Sequence, residues 1–167
     1  MKRTRILNDP SDLVPLIDVF SNTEHRQVYD LLTESWYTKV ELDQHTGKDT
    51  RKSLDTLQHG LLLESKWRMP TPGESPEMEF HTSFTSIRVG FQCSITELAE
   101  VVDSALTQGE QLRKDAERLE DEVRKGNYSL TYLSRTLDAS PNQLKCIAKR
   151  YGRISVKGQR LEVLEER

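Results

Sequence analysis

Basic side chains are concentrated near the end of the sequence, in a stretch from Ser140 to Arg160 that contains no Asp or Glu. The chain as a whole is slightly acidic, with a formal net charge of −3, so this excess of positive charge indicates a local role. Lys and Arg bind phosphate oxygens, and Asn and Gln at the start of a helix can hydrogen-bond base edges. The residues predicted to contact nucleic acid here are Asn142, Gln143, Lys145, Lys149, Arg150, Arg153, Lys157 and Arg160.

A second group of residues suited to nucleic-acid contact lies in the sequence KDTRKSLDTLQH. Leu54 and Leu57 have the spacing of the buried side of a helix, which leaves polar side chains on the opposite side. Basic residues near a helix start can bind phosphates, while Arg and Gln can also hydrogen-bond base edges. The predicted contacts are Lys48, Thr50, Arg51, Lys52 and Gln58.

Short helices followed by two strands must position this second group. Apolar spacing predicts helices over residues 12–20, from about 22 to beyond 32, over 38–45 and over 49–59. Thr38 and Glu41 have the form of a capping box, Gly47 breaks the chain before the last of these helices, and Gly60 ends it. Strands are predicted over 61–69 and 77–91, with a turn over Pro70–Pro76 between them. The last three of these helices, followed by the hairpin of the two strands, predict a winged helix.

The segment VFSNTEHRQVYDLLTESWYTKVELDQHTGKDTRKSLDTLQHGLLLESKW resembles the winged helix-turn-helix of ArsR-like regulators, including many archaeal ones. The resemblance extends over about residues 10–92 and rests on the order of elements and on SLDTLQHGLLLES at the end of the recognition helix. It implies sequence-specific binding to promoter DNA, for either repression or activation. Metal-sensing members carry cysteines in the helix before the recognition helix. That helix reads VELDQH here, so the resemblance does not imply a metal sensor.

A heptad pattern of apolar and small residues begins after Ile95 and continues for nearly four repeats. With Ser94 and Glu97 as a capping box, it predicts a helix of about thirty residues, roughly 45 Å long. Gly109 costs about 1 kcal/mol of helix stability, and a break near 107–109 stays open. The regular stripe favours a homodimer of packed helices over a helix folded back on its own domain. The predicted dimer interface consists of Leu98, Val102, Ala105, Leu112, Ala116, Leu119 and Val123.

The basic stretch itself belongs to a small module after this helix. Ser129 begins one short helix, and Ser140 with Pro141 begins a second that ends at Gly152. The alternating residues 154–163 form a hairpin around Lys157 and Gly158. The pattern predicts a minimal helix-turn-helix with a short wing.

Several classes of function are disfavoured by the sequence. It contains no glycine-rich phosphate loop, no Cys-x-x-Cys and no His-Glu-x-x-His, and its four histidines are scattered. We therefore expect no enzyme activity, no catalytic residues, no metal and no cofactor. Without a run of eighteen apolar residues or an apolar leader, we expect neither a membrane span nor a signal peptide. Cys93 and Cys146 lie far apart and fit a reducing compartment, so a cytoplasmic location is expected.

The sequence thus predicts a mainly α protein with small β-hairpins, of the α+β class. We expect an N-terminal winged helix over 1–92, a dimerisation helix over 93–127 and a basic helix-turn-helix over 128–167. The predicted function is a homodimeric, sequence-specific regulator that binds double-stranded promoter DNA. One alternative is a winged-helix scaffold that docks on other proteins, such as the transcription machinery. A ligand-gated repressor is a further alternative.

Overall fold

The chain folds into two compact units. The computed structural model describes residues 3–73 and 75–164. The N-terminal unit comprises Met1–Ile6 and Val19–Arg88, and the C-terminal unit comprises Leu7–Asp18 and Val89–Arg167. Helices and small antiparallel sheets make up the chain, which confirms the predicted α+β class. The units differ from the predicted three-part division, because the connecting segment and the small basic module belong to one unit.

Strand β1 (Thr4–Leu7) and helix α1 (Val14–Ser21) begin the chain, and each spans the boundary between the units. The N-terminal unit continues with α2 (Thr23–Glu34), β2 (Tyr37–Thr38), α3 (Lys39–Thr46), α4 (Arg51–His59), β3 (Leu63–Arg68), β4 (Glu77–Thr82) and β5 (Ser86–Val89). Strands β2, β3 and β4 form an antiparallel sheet in the order β2-β4-β3, and β1 pairs with β5. The predicted helices and hairpin are present, although the predicted strand 77–91 is two strands.

The local sequence explains where these helices begin and which side they bury. Helix α2 begins after Asn22, whose side chain accepts a hydrogen bond from the backbone N–H of Glu24 at 2.8 Å. Its buried apolar residues are Val28 and Leu32, four positions apart on one side of the helix. The core of the unit also contains Leu42, Leu54, Leu57 and Leu62, each less than 5 % exposed. The apolar side of each helix therefore turns inward and leaves its polar side in solvent.

The C-terminal unit is built around one central helix. The elements of this unit are a 3₁₀ turn (Pro10–Leu13), α5 (Ile95–Leu106), α6 (Glu110–Arg124), α7 (Leu130–Leu137), the central helix α8 (Pro141–Tyr151), β6 (Ile154–Lys157) and β7 (Arg160–Val163). Helix α8 contacts the 3₁₀ turn, α5, α6, α7 and β6. It begins at Ser140, which accepts from the N–H of Gln143 at 3.0 Å, and ends at Gly152, whose φ is +75°. Both ends agree with the sequence prediction.

The predicted thirty-residue helix is wrong, because the segment forms two helices. Helix α5 ends at Leu106 and α6 begins at Glu110. Gly109 between them has a φ of +74°, a left-handed value that favours glycine and that no helix interior contains. The hydroxyl of Thr107 donates to the carbonyl of Asp103 at 2.6 Å and closes the last turn of α5. The break lies at the position that the sequence left open.

The heptad residues divide between two environments, and this corrects the predicted dimer interface. Ala116, Leu119 and Val123 are buried in the core of the C-terminal unit with α7, α8 and the β6–β7 hairpin. Ala105 is buried against Val14, Val101 and Cys146. These four side chains are not available to a second copy, because their own unit covers them. Leu98 and Val102 are exposed, and Leu112 is partly exposed.

Candidate nucleic-acid interface

The turn between α3 and α4 is fixed by the carboxylate of Asp43. Asp43 Oδ1 accepts hydrogen bonds from the backbone N–H and the hydroxyl of Thr50, both at 2.8 Å. Its other oxygen accepts from Lys39 Nζ at 2.5 Å. Lys39, and then Thr50, hold the pKa of Asp43 at about 2, so it stays ionised near neutral pH. The angle at which α4 leaves α3 therefore depends on one short polar network.

Helix α4 presents a polar face to solvent. Ser53, Leu54 and Leu57 are buried, and Ser53 Oγ lies 2.8 Å from Nδ1 of the buried His25 on α2. The remaining side chains of the helix project outward, and the exposed ones are Arg51, Lys52, Asp55, Gln58 and His59. This face combines two cations near the helix start with an amide further along. Those groups can bind phosphates and hydrogen-bond base edges, respectively.

The β3–β4 hairpin is tied to the start of α3 by Arg68. Its guanidinium donates to Glu79 Oε2 at 2.7 Å and to both oxygens of Glu41 at 2.7 and 2.9 Å. Glu41 also accepts from the backbone N–H of Thr38 at 2.7 Å and so completes the predicted capping box. Arg68 is the main cause of a Glu41 pKa of about 2. This network fixes the hairpin relative to the helices that precede it.

The hairpin exposes a basic residue and a large apolar residue on opposite faces, because Lys66 and Trp67 are consecutive in β3. Lys66 lies 4.0 Å from the centre of the Trp36 ring and 3.3 Å from Glu79. Trp67 and Met69 are 65 % and 89 % exposed, although both are large apolar residues. These two side chains leave apolar surface accessible on the hairpin.

A comparison with protein families supplies the assignment that the geometry alone does not. A model of the ArsR transcriptional regulator family matches residues 7–165, nearly the whole chain. The chain belongs to this family. Members of this family are regulators of transcription, so membership indicates DNA binding and transcription regulation, as the sequence resemblance implied. No curated protein matches the sequence.

Two further findings concern the part of the chain that the structure describes. No helix there is long and apolar enough to cross a membrane. No three His, Cys, Asp or Glu side chains come together there in an arrangement that could hold a metal ion. Helix α3 also contains no cysteine.

The residues predicted around α4 occupy different positions. Arg51, Lys52 and Gln58 are exposed on the helix, where they can reach a groove. Lys48 is exposed just before the helix and pairs with Glu24 at 2.5 Å. Thr50 is buried and its hydroxyl donates to Asp43, so we remove it from the proposed DNA contacts. Contact by the other four stays a prediction.

The residues predicted on α8 have partners within the C-terminal unit. Lys145 pairs with Asp9 at 2.8 Å, Lys149 with Asp12 at 2.6 Å and Arg150 with Asp18 at 3.1 Å. Arg150 also donates to the carbonyls of residues 104 and 105. Asn142 is buried and donates to the Glu97 carbonyl and to Glu100 Oε2. The ion pairs and the burial leave α8 without a free basic face, so we remove these four residues from the proposed DNA contacts.

The remaining residues of the predicted C-terminal site, one amide and three basic side chains, lie on the surface. Gln143, Arg153, Lys157 and Arg160 are exposed. Lys157 pairs with Glu162 at 2.5 Å, and Arg160 lies 5.5 Å from the centre of the Tyr128 ring. Their contact with DNA stays a prediction, now without the support of a recognition helix beside them.

Sequence reasoning missed the residues that hold the site in shape. Arg68, Glu79 and Asp43 form hydrogen bonds within the unit, and these bonds fix the hairpin and the turn before α4. Glu79 lies directly opposite Lys66 in the antiparallel register, and Arg68 is two residues further along β3. Alternating charges on two paired strands are the signal that could have predicted this network.

Proposed function

We propose that this ArsR-family protein is a homodimeric regulator of transcription that binds promoter DNA. In this proposal helix α4 contacts the base edges, and the β3–β4 wing contacts the phosphate backbone of the DNA. In this proposal the N-terminal unit is a winged helix-turn-helix, with α3 as the supporting helix and α4 as the recognition helix. The observation that carries it is the exposed face of α4, which presents Arg51, Lys52 and Gln58 together with Asp55 and His59, while Ser53, Leu54 and Leu57 are buried on the other side. Recognition helices place such residues near their start in the major groove.

The order and packing of the elements support the winged-helix assignment. Helix α4 follows α3 after a short turn with Gly47 at φ +69°. Strand β3 follows α4 directly and forms a hairpin with β4, whose register runs from Leu63 opposite Thr82 to Arg68 opposite Glu77. In this proposal Lys66, which is exposed on the hairpin, binds a phosphate beside the groove that α4 enters.

An exposed apolar stripe on α5 supports the homodimer. Ile95, Leu98, Val102 and Leu106 are all exposed, and Ile95 is 84 % exposed. Their spacing of three, four and four residues places them on one side of the helix. The charged side chains of α5 lie elsewhere, so a second copy of the same helix is a chemically suitable partner. A two-fold dimer also matches a two-fold repeated operator.

Selection of bound sequences from random duplex DNA tests the proposal. Purified full-length protein is used at about 150 mM salt, where weak contacts between exposed charges are largely screened. We expect an enriched motif with two half-sites, whose spacing reports the dimer geometry. Binding without enrichment that disappears as salt rises would contradict a sequence-specific regulator.

Replacing Arg51 and Lys52 together by Ala tests the role of α4. If both side chains bind phosphates, the slope of log affinity against log salt should become shallower by about 2. The double substitution of Arg113 and Lys114 by Ala is a matched control, because both are exposed on α6 and remove the same charge. Equal effects of the two double variants would contradict the assignment of α4.

The dimer is tested by replacing Ile95 and Val102 with Lys and measuring the mass in solution by sedimentation. We expect monomers, because two charges would enter the apolar contact. Replacing Thr96 by Lys is the control, since Thr96 is exposed on the same helix about 100° away from Ile95. A dimer that survives the double substitution would place the interface elsewhere.

The exposed wing gives a specific reason to retain the protein-docking alternative. Trp67 and Met69 offer apolar surface that phosphate binding does not require. In that function the wing contacts a protein, such as a component of the transcription machinery. Substitution of Trp67 by Ser would then abolish recruitment and leave the enriched DNA motif unchanged.

A further inference from the structure

A small cleft in the C-terminal unit lies between helix α6 and the turn that joins α7 to α8. Helix α6 contributes Asp115 and Arg118 to its lining, and the turn contributes Asp138 and Ala139. The volume of the cleft is about 230 Å³, and the structure describes every residue that lines it. Sites for drug-sized ligands measure about 300–1,000 Å³, so this cleft suits a smaller metabolite.

The apolar part of this lining belongs to the core of the unit. Leu144 and Ile147 of α8 are 1 % and 8 % exposed, and Leu137 and Ala139 pack against the same core. Because core side chains are close-packed, they keep their arrangement without a ligand. The cleft therefore offers preformed apolar surface, against which a small aliphatic group is removed from water.

Charged side chains of both signs line the cleft without pairing with each other. Arg118 and Asp138 are exposed, and neither side chain forms a hydrogen bond or an ion pair with any residue that the structure describes. Asp115 lies three positions before Arg118, on the same side of α6. It accepts a hydrogen bond from the amide of Gln111 at 3.0 Å. One positive and one negative group in the cleft thus remain available to a ligand.

Arg118 differs in this respect from its basic neighbours along α6. Each of the other basic residues between positions 113 and 125 pairs with a carboxylate three or four positions away, at 2.6–3.2 Å, and these residues are Arg113, Lys114, Arg124 and Lys125. Glu122 lies four positions after Arg118, but it is held by Lys125 at 2.6 Å and by Asn127 at 2.9 Å. The guanidinium of Arg118 can therefore bind a carboxylate from outside the chain through two parallel hydrogen bonds.

We propose that this cleft binds a free amino acid with an aliphatic side chain. Arg118 binds the carboxylate of the ligand, Asp138 binds its ammonium group, and the aliphatic chain lies against Leu137 and Ile147. The exposed amide of Gln143, which has no hydrogen-bond partner within the described residues, can bind either polar group. A free amino acid carries both charges on one carbon atom, whereas a peptide carries them at its two ends. The cleft is separate from α4, so this site does not rest on the proposed function.

Calorimetric titration of the full-length protein with leucine tests the site in the absence of DNA. Three analogues each lack one group of leucine: 4-methylpentanoate lacks the ammonium group, 3-methylbutylamine lacks the carboxylate and glycine lacks the aliphatic chain. We expect leucine to bind at least about tenfold more tightly than each analogue, since only leucine contacts all three parts of the cleft.

Substitutions of the two charged residues show which group of the ligand each one binds. Arg118→Ala should weaken leucine binding at least about tenfold and leave the weak binding of 3-methylbutylamine unchanged. Asp138→Asn should weaken leucine binding to a similar extent and leave the binding of 4-methylpentanoate unchanged. Asn is chosen because Asp138 has a φ of +52°, a left-handed conformation that Asn tolerates. Arg113→Ala is the matched control, because Arg113 is exposed on the same helix outside the cleft.

Three results would overturn the proposal. The first is the absence of saturable leucine binding up to about 10 mM, ten times a weak dissociation constant of about 1 mM. The second is equal affinity for leucine and 4-methylpentanoate, which would reduce the cleft to a carboxylate site. The third is leucine affinity that is unchanged in both the Arg118 and the Asp138 variants, which would place binding elsewhere. Loss of DNA binding in the α4 variants should leave the leucine titration unchanged, so the two proposals can fail separately.

Discussion

Replacement of Arg68 by Met should loosen the wing and destabilise the N-terminal unit. Arg68 donates one hydrogen bond to Glu79 and two to Glu41. Met retains an apolar stem but removes the positive charge and all three donors. The substitution leaves Glu79, which is only 8 % exposed, beside Lys66 at 3.3 Å. It leaves Glu41 with the capping bond of Thr38.

The expected loss can be worked from these contacts. The pKa of Glu41 falls from an ordinary 4.5 to about 2, with Arg68 as the main cause, and at about 1.36 kcal/mol per pKa unit this sets an upper limit of roughly 3 kcal/mol. Both side chains are more than a third exposed, so solvent screening reduces the contribution to about 1–1.5 kcal/mol. The desolvated Glu79 carboxylate adds about 1 kcal/mol. We therefore expect the free energy of unfolding to fall by about 2–2.5 kcal/mol.

Tryptophan fluorescence during urea unfolding measures this loss in the N-terminal unit, to which Arg68 belongs. The two tryptophans of the chain, Trp36 and Trp67, both lie in the N-terminal unit. Arg3→Met is the matched control, because Arg3 forms an exposed ion pair with Glu64 at 2.5 Å. Such surface pairs contribute about 0–1 kcal/mol.

The pH dependence supplies the decisive comparison. The folded-state pKa of Glu41 is lower than its unfolded value, so its contribution is complete above about pH 4.5 and is lost as the pH falls towards 2. The difference between wild type and Arg68→Met should therefore shrink over this range. Equal effects of the Arg68 and Arg3 substitutions at pH 7, or a difference that persists at pH 2, would refute the reasoning.

Three further substitutions or modifications test the C-terminal unit. Leu119→Ala should lower the free energy of unfolding, measured by chemical denaturation, by about 2–5 kcal/mol, because Leu119 is fully buried. If the variant instead dissociated a dimer at unchanged stability, Leu119 would belong to the dimer interface. Lys149→Met should destabilise the C-terminal unit by about 1–3 kcal/mol, because Lys149 pairs with Asp12 at 2.6 Å. Adding Asp12→Asn should restore part of this loss. If the losses of the two substitutions simply add, the two residues are not energetically coupled. Burial raises the pKa of Cys146 to about 12, so at pH 8 a thiol reagent should modify only Cys93 in the folded protein. Both cysteines should react in denaturant. Modification of both cysteines in the folded protein would show that the core around Cys146 opens.

The helix ends could be predicted from the sequence because their hydrogen bonds are local. Thr38 and Glu41 exchange side-chain and backbone bonds across three residues, and Ser94 and Glu97 do the same. Gly152 ends α8 with a positive φ. Such signals depend on four or five neighbouring residues, so the order of helices and hairpins follows from the chain alone.

The heptad pattern was misread because spacing does not identify the partner surface. Leu119 and Val123 have the spacing of a coiled-coil seam, yet they pack against α7, α8 and a hairpin of the same unit. Any helix that rests on a flat core shows the same three- and four-residue spacing. Gly109 is the informative residue. Its left-handed φ ends the helix, although the heptad spacing continues past it. On α5 the exposed side combines Ile95 and Leu106 with two heptad residues, Leu98 and Val102.

The basic stretch shows why a cluster of charges in the sequence does not by itself define a binding surface. Lys145, Lys149 and Arg150 are neutralised by acids at the opposite end of the chain, Asp9 and Asp12 among them. These acids are more than 130 residues away from their partners on α8, so no local window of the sequence contains both signs. Burial raises the pKa of Asp9, but Lys145 and Ser11 lower it to about 2, so the acid stays charged within the unit. What survives of the stretch as accessible charge is the hairpin, with Arg153 and Arg160. The stretch thus has two structural parts: its helix holds the C-terminal unit together, and its hairpin carries exposed basic side chains.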